Sequence, residues 1–181
     1  RCKNKFYQSI GIESDEYMVK TCRKHGLTVL EGDAIESLSK FDNDSIAVIT
    51  IFHVIEHLEY RTLIQLISEC HRVLRDDGLL IMETPSIDNL IVSTKLFYID
   101  HTHINPINAE AISFHLEKAG FSNVKNYYIN GGPLQDASPV KITRLFNGVA
   151  QDLCIIATKS EIYFNKIFTD SNCWESNLNI G

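Results

Sequence analysis

Residues 47–60, AVITIFHVIEHLEY, carry six apolar or β-prone side chains straight into His53, Glu56 and His57. The run from Ser45 to Phe52, SIAVITIF, does not alternate and is rich in β-branched residues. That is the pattern of a strand buried on both faces in a parallel sheet. Downstream, Leu63, Leu66, Ile67, Cys70, Val73 and Leu74 fall three and four apart. Their apolar stripe predicts a helix over about 60–74, docked on that sheet. His53, Glu56 and His57 therefore mark a strand's exit toward a helix.

The alternation continues on both sides. QSIGI (8–12) closes a short strand, and SDEYMVKTCRKHG (14–26) reads as a helix with Ser14 or Asp15 as N-cap and Gly26 as its left-handed stop. LTVLEGD (27–33) follows as a second strand. RDDG (75–78) turns the chain, LLIMETP (79–85) is a buried strand ended by Pro85, and NAEAISFHLEKAG (108–120) is a helix capped by Asn108 and stopped by Gly120. FSNVKNYYIN and QDLCIIATK lack a helix of ordinary length between them, so they are expected as an antiparallel pair at one edge. Strand and helix taking turns over 8–125 imply right-handed βαβ crossovers. The expected fold is α/β: three layers, doubly wound, with a mostly parallel sheet and the antiparallel edge pair at its C-terminal end.

A chain of 181 residues suits one domain, expected over 1–160, with 161–181 as an extension that drifts toward Asn and Ser. Trp174 in that extension is left to dock on the domain or on a second copy, which would make a homodimer. Against 17 basic residues stand 23 acidic ones, for a net charge of -6, and no basic cluster is present to neutralise a row of phosphates. Nucleic acid is thus a poor partner. No apolar run is long enough to span a bilayer, so membrane insertion is not expected. The five cysteines are widely spaced without a CxxC pair, which argues against a disulfide framework and a zinc ribbon and favours a reducing cytoplasm. The start, RCKNKFYQSIGIE, has neither an initiator Met nor a secretion signal and reads as a chain entered partway through.

In open α/β sheets ligands bind beyond the carboxyl ends of the strands. Glu13, Asp33 and Glu83 stand at three such exits, and His53, Glu56 and His57 at a fourth. Glu13 is placed to accept hydrogen bonds from two ribose hydroxyls, or else complements a helix dipole. Asp33 could accept from an exocyclic amine such as that of adenine, or else caps the helix DAIESL. HVIEH also matches the H-x-x-E-H zinc-protease signature. Its position at a strand end, however, makes His53 and His57 straddle a turn instead of sharing a helical face.

GIESDEYMV, LTVLEGDA, SIAVITIFHVIEHL, HRVLRDDGLLIMETP, FYIDHTHINP and AISFHLEKAGF, in that order, resemble the class I S-adenosylmethionine-dependent methyltransferases. Within that family the chain is most similar to bacterial enzymes acting on small molecules or surface-glycan ends. The resemblance covers about 10–160. It implies a Rossmann-like methyltransferase fold whose last strand is antiparallel. It also implies that Glu13 holds the cofactor ribose, that Asp33 and Ala34 frame the adenine, and that Phe52 and His53 lie near the methionine part. No metal is implied, and S-adenosylhomocysteine would be the product. The family's Gly-rich loop has no counterpart here: twelve residues precede Glu13, and none of the first ten is glycine. The first strand and that loop are therefore expected to be missing from this chain.

Methyl transfer to a hydroxyl gains from a base near neutrality, for which histidine is suited. The candidates, in order, are His103, His53, His101 and His57, with Tyr98, Asp100 and His57 shaping an acceptor site. The acceptor is expected to be a small molecule or glycan, methylated at oxygen. The competing readings are a methyltransferase-like interaction module without catalysis and a zinc hydrolase built on HVIEH.

Overall fold

The protein is described by a computed structural model over residues 8–131 and 150–160. The expectations for 161–181, Trp174 included, lie outside the described residues. The chain forms two compact units, residues 1–42 and 43–181.

The first unit holds β1 (Gly11–Glu13), α1 (Glu16–Lys24), β2 (Val29–Glu31) and α2 (Ala34–Leu38). β1 and β2 pair in parallel, Glu13 opposite Glu31. Asp15 is the N-cap of α1, its carboxylate accepting from the Met18 N–H, and Gly26 ends that helix with φ +73°. Val19 is fully buried on the inner face of α1. At the exit of β2, Gly32 adopts φ +144°, a conformation strained for any residue with a Cβ.

The second unit holds β3 (Ile46–Phe52), α3 (Tyr60–Val73), β4 (Leu74–Pro85), α4 (Ala109–Lys118), β5 (Ser122–Gly131) and β6 (Ala150–Thr158). The strand order is β3–β4–β6–β5. β3 and β4 run parallel, while β6 is antiparallel to both of its neighbours, β4 and β5. The expected antiparallel pair thus forms at the β5 edge. RDDG, expected as a turn before the strand, lies inside β4 as a bulge: between the pairs Ile46–Leu74 and Val48–Leu79 the register shifts and the β4 side takes up the extra residues. A Cβ on Gly78 would come within 2.7 Å of the Arg75 carbonyl oxygen, so only glycine fits that irregularity without displacement.

Leu63, Leu66, Ile67, Cys70 and Val73 form the buried stripe of α3, as their spacing requires. α4 starts at the Asn108 cap, whose side chain accepts from the Ala111 N–H. In the sheet, Leu80 faces Ala157 and Met82 faces Ile155, all buried on one side. The Asn126 amide on that side reaches Ser113 of α4 at 2.9 Å. β3 departs from expectation, because Val48 and Phe52 are each 52% exposed. Among the described residues it pairs with β4 alone, at the end of its sheet, and only its Ile51 side is buried. An apolar run shows what a strand can bury, not how many faces get covered. Among the described residues no helix is long and apolar enough to cross a membrane.

Candidate active site

In the first unit, Glu13 and Asp33 stand at the carboxyl ends of two neighbouring parallel strands. Glu13 Oε1 accepts from the Asp15 N–H at 2.9 Å, and its carbonyl accepts from the Gly32 N–H at 3.0 Å. Asp33 caps α2, its Oδ1 accepting from the N–H groups of Ile35 and Glu36 at 2.8 and 3.0 Å. Ala34 begins that helix. Two carboxylates on adjacent strand ends, with a side-chain-free Gly32 between them, suit the hydroxyls of a ribose and the amine of an adenine.

In the second unit the register brings Phe52 opposite Glu83, and Pro85 opposite Asp152. The carboxyl ends of β3 and β4 and the start of β6 therefore share one end of the sheet. β3 stops at His53, whose N–H donates to the Glu83 carbonyl at 2.9 Å and whose φ is +52°. A β-carbon makes that left-handed conformation unfavourable, and it turns the ring back over the strand ends. A 3₁₀ turn, Ile55–His57, follows, so His53 and His57 straddle a turn as expected.

Glu56 is fully buried on this turn. Its carbonyl accepts from the N–H groups of Ile104 and Asn105 at 3.0 and 2.9 Å, which pins the DHTHIN loop above the strand ends. The Thr84 hydroxyl donates to Glu56 Oε2 at 3.1 Å. Oε1 has no hydrogen-bond partner among the described residues. It faces His53 Nδ1 at 3.3 Å and His103 Nε2 at 4.0 Å. Buried polar atoms are nearly always satisfied, so this oxygen calls for an occupant.

The loop orients its imidazoles by hydrogen bonds. Thr102 Oγ1 lies 2.6 Å from Asp100 Oδ1 and 2.8 Å from His57 Nδ1. Its single proton goes to the carboxylate, so it accepts from His57, which places the His57 proton on Nδ1 and the lone pair on Nε2. His103 Nδ1 donates to the Phe97 carbonyl at 2.8 Å, which likewise leaves its lone pair on Nε2. The two rings lie 4.6 Å apart. Hydrogen bonds from the Thr102 hydroxyl, then from its N–H, hold the Asp100 carboxyl below the usual carboxylate range. A second group adjoins the first: His53 Nε2 is 3.5 Å from Glu83 Oε1, and the Asn130 amide reaches Asp152 at 2.9 Å and Glu83 at 3.4 Å.

Beside His103 a hollow of about 140 Å³ opens between Pro85, Val92, Leu96, Phe97 and Asp152. Sites for whole drug-sized ligands run from about 300 Å³ upward, so this one holds a part of a ligand. The structure gathers His53, His57, His103 and Asp100. His101 is exposed outside the group, and Tyr98 is 60% exposed. Thr102, Thr84, Phe97, Asp152 and Asn130 escape a reading of the sequence. Thr102 stood within HTH as a signal, whereas Asp152 arrives through antiparallel pairing that leaves no local trace.

The profile of the family described as "Methyltransferase domain" matches residues 1–82. Among solved structures, a SAM-dependent methyltransferase from Archaeoglobus fulgidus is 30% identical, with TM-score 0.71 over 83% of this chain and 76% of that one. A SAM-dependent methyltransferase from Thermotoga maritima is 20% identical, with TM-score 0.64 over 84% and 73%. A phosphoethanolamine N-methyltransferase of Haemonchus contortus, solved with S-adenosyl-L-methionine, is 16% identical, with TM-score 0.62 over 85% and 44%. Among curated proteins none matches. On its sheet order, its strand-end site and its likeness to the Archaeoglobus enzyme, this chain belongs to the S-adenosylmethionine-dependent methyltransferases.

Proposed function

We propose that the chain methylates a hydroxyl of a small-molecule or glycan acceptor seated over the His53, His57 and His103 imidazoles. S-adenosylmethionine supplies an activated methyl on sulfur, and its transfer to oxygen yields S-adenosylhomocysteine and a proton. The observation that carries the reading is the meeting of three imidazoles with a buried carboxylate at the ends of β3 and β4. Such a cluster serves an acceptor that must lose a proton. His53 takes that proton: its ring is half exposed and lies beside both Glu56 and Glu83. His57 and His103, fixed by Thr102 and by the Phe97 carbonyl, position the acceptor oxygen, and Tyr98 and Asp100 border its approach. Glu13 holds the ribose hydroxyls, Asp33 and Ala34 border the adenine, and Phe52 lies toward the methionine part. The three described cysteines are unpaired, in keeping with a reducing cytoplasm.

Calorimetry with S-adenosylhomocysteine, paired with single-turnover rates on hydroxyl and amine acceptors, tests the assignment. Glu13→Ala is expected to weaken cofactor binding by about 1–3 kcal/mol. His53→Ala should leave that binding unchanged and slow methylation about a hundredfold. Transfer to amines alone, or an unchanged rate in the His53 variant, rejects it.

A further inference from the structure

We infer that Glu56, His57 and His103 form a binding site for one divalent transition-metal ion. One ligand atom from each lies within 4.8 Å of the other two. A cation with nitrogen and oxygen ligands at about 2.0–2.2 Å holds such atoms roughly 3–4 Å apart. The Glu56 Oε1 to His103 Nε2 distance is 4.0 Å, so small side-chain rotations complete the site.

Each of the three side chains also spends its other heteroatom on a hydrogen bond outside the cluster. Metal-binding imidazoles donate their second N–H to a carboxylate or carbonyl, which fixes the tautomer and aims the lone pair. His103 does so through Nδ1 to the Phe97 carbonyl, and His57 through Nδ1 to Thr102, itself bonded to Asp100. Glu56 spends Oε2 on Thr84 and leaves Oε1 buried without a hydrogen-bond partner. The three outward hydrogen bonds thus leave Glu56 Oε1, 3.3 Å from His53 Nδ1, and His103 Nε2, 3.8 Å from Asp100 Oδ2, without a hydrogen bond, and leave the lone pair of His57 on its other nitrogen. A cation there meets the unsatisfied oxygen and keeps open positions beside the hollow at His103.

Two imidazoles and one carboxylate favour zinc, cobalt or manganese over magnesium or calcium, which take oxygen ligands. The neighbouring trio His53, Glu83 and Asp152 also falls within 4.8 Å. Its carboxylates, however, are already held by the Asn130 amide, and His53 is half exposed. The site stands on geometry alone. Its use in gripping an acceptor oxygen rests on the transferase reading above, with His53 then left as the proton acceptor.

The test titrates chelator-treated full chain with Zn²⁺ by calorimetry and with Co²⁺ by visible absorption, and measures S-adenosylhomocysteine binding on the same sample. One equivalent of Zn²⁺ is expected, together with a Co²⁺ spectrum of nitrogen coordination and a preference of at least a hundredfold over Mg²⁺. Glu56→Gln should weaken Zn²⁺ binding at least a hundredfold. Thr102→Val, a substitution on an exposed loop that spares the fold, should weaken it about tenfold by releasing His57. Asp152→Asn should change it less than threefold. Absence of binding, or binding that survives both Glu56→Gln and Thr102→Val, overturns the site. So does binding that is lost on Asp152→Asn. Absence of Zn²⁺ binding in a chain that still binds S-adenosylhomocysteine overturns this inference while the transferase reading stands.

Discussion

His53 combines the two demands that meet at the end of β3. Its left-handed backbone at φ +52° costs about 1 kcal/mol for a residue with a β-carbon and nothing comparable for glycine. Its ring, in return, stands between Glu56 and Glu83. His53→Gly is therefore expected to be more stable than His53→Ala by about 1 kcal/mol, while both lose turnover. Urea unfolding of the pair checks this, and equal midpoints would mean that the conformation relaxes. A different fate befalls Cys70 on the inner stripe of α3, where burial pushes the thiol up to about 12 and makes it a packing group.

Between elements, the end of α4 meets α3 through Gly120 and His71. Gly120 has φ +104°, and a Cβ there would stand 2.8 Å from His71 Nε2. The His71 ring packs edge-on against Phe121, 5.1 Å between centroids. Gly120→Ala should then cost about 2 kcal/mol, from strain and overpacking together, measurable as a lower urea midpoint. The helices were legible because their caps are local chemistry: Asp15 and Asn108 accept from the first-turn N–H groups wherever the rest of the chain goes. The covering of β3 was not legible, because Val48 and Phe52 look the same in sequence whether a partner lies above them or water does.

At the scale of the second unit, Lys159 joins three distant segments. Its ammonium donates to Asp44 at the entry of β3 and to the Leu74 carbonyl where α3 passes into β4. Burial first, and the Lys159 charge second, lower the pKa of His71. A histidine with a lowered folded pKa contributes stability that is full above its ordinary value of about 6.5 and declines as the pH falls below it. Lys159→Met should raise the His71 pKa, followed by NMR titration, and flatten that acid-side loss of stability; an unmoved His71 would exclude the Lys159 field as a cause. The site follows the same division between local and distant. Glu13, Asp33 and the HVIEH turn were readable as strand exits. The meeting of Asp152 with Glu83 depends on a strand that arrives late in the chain. β6 lies between β4 and β5, so its residues pair with segments that precede them by up to about eighty positions. During synthesis at roughly 5–20 residues per second, the inner edges of both β4 and β5 stay unpaired for several seconds. That interval, set by strand order, is when the nascent chain is most open to aggregation and to chaperone capture.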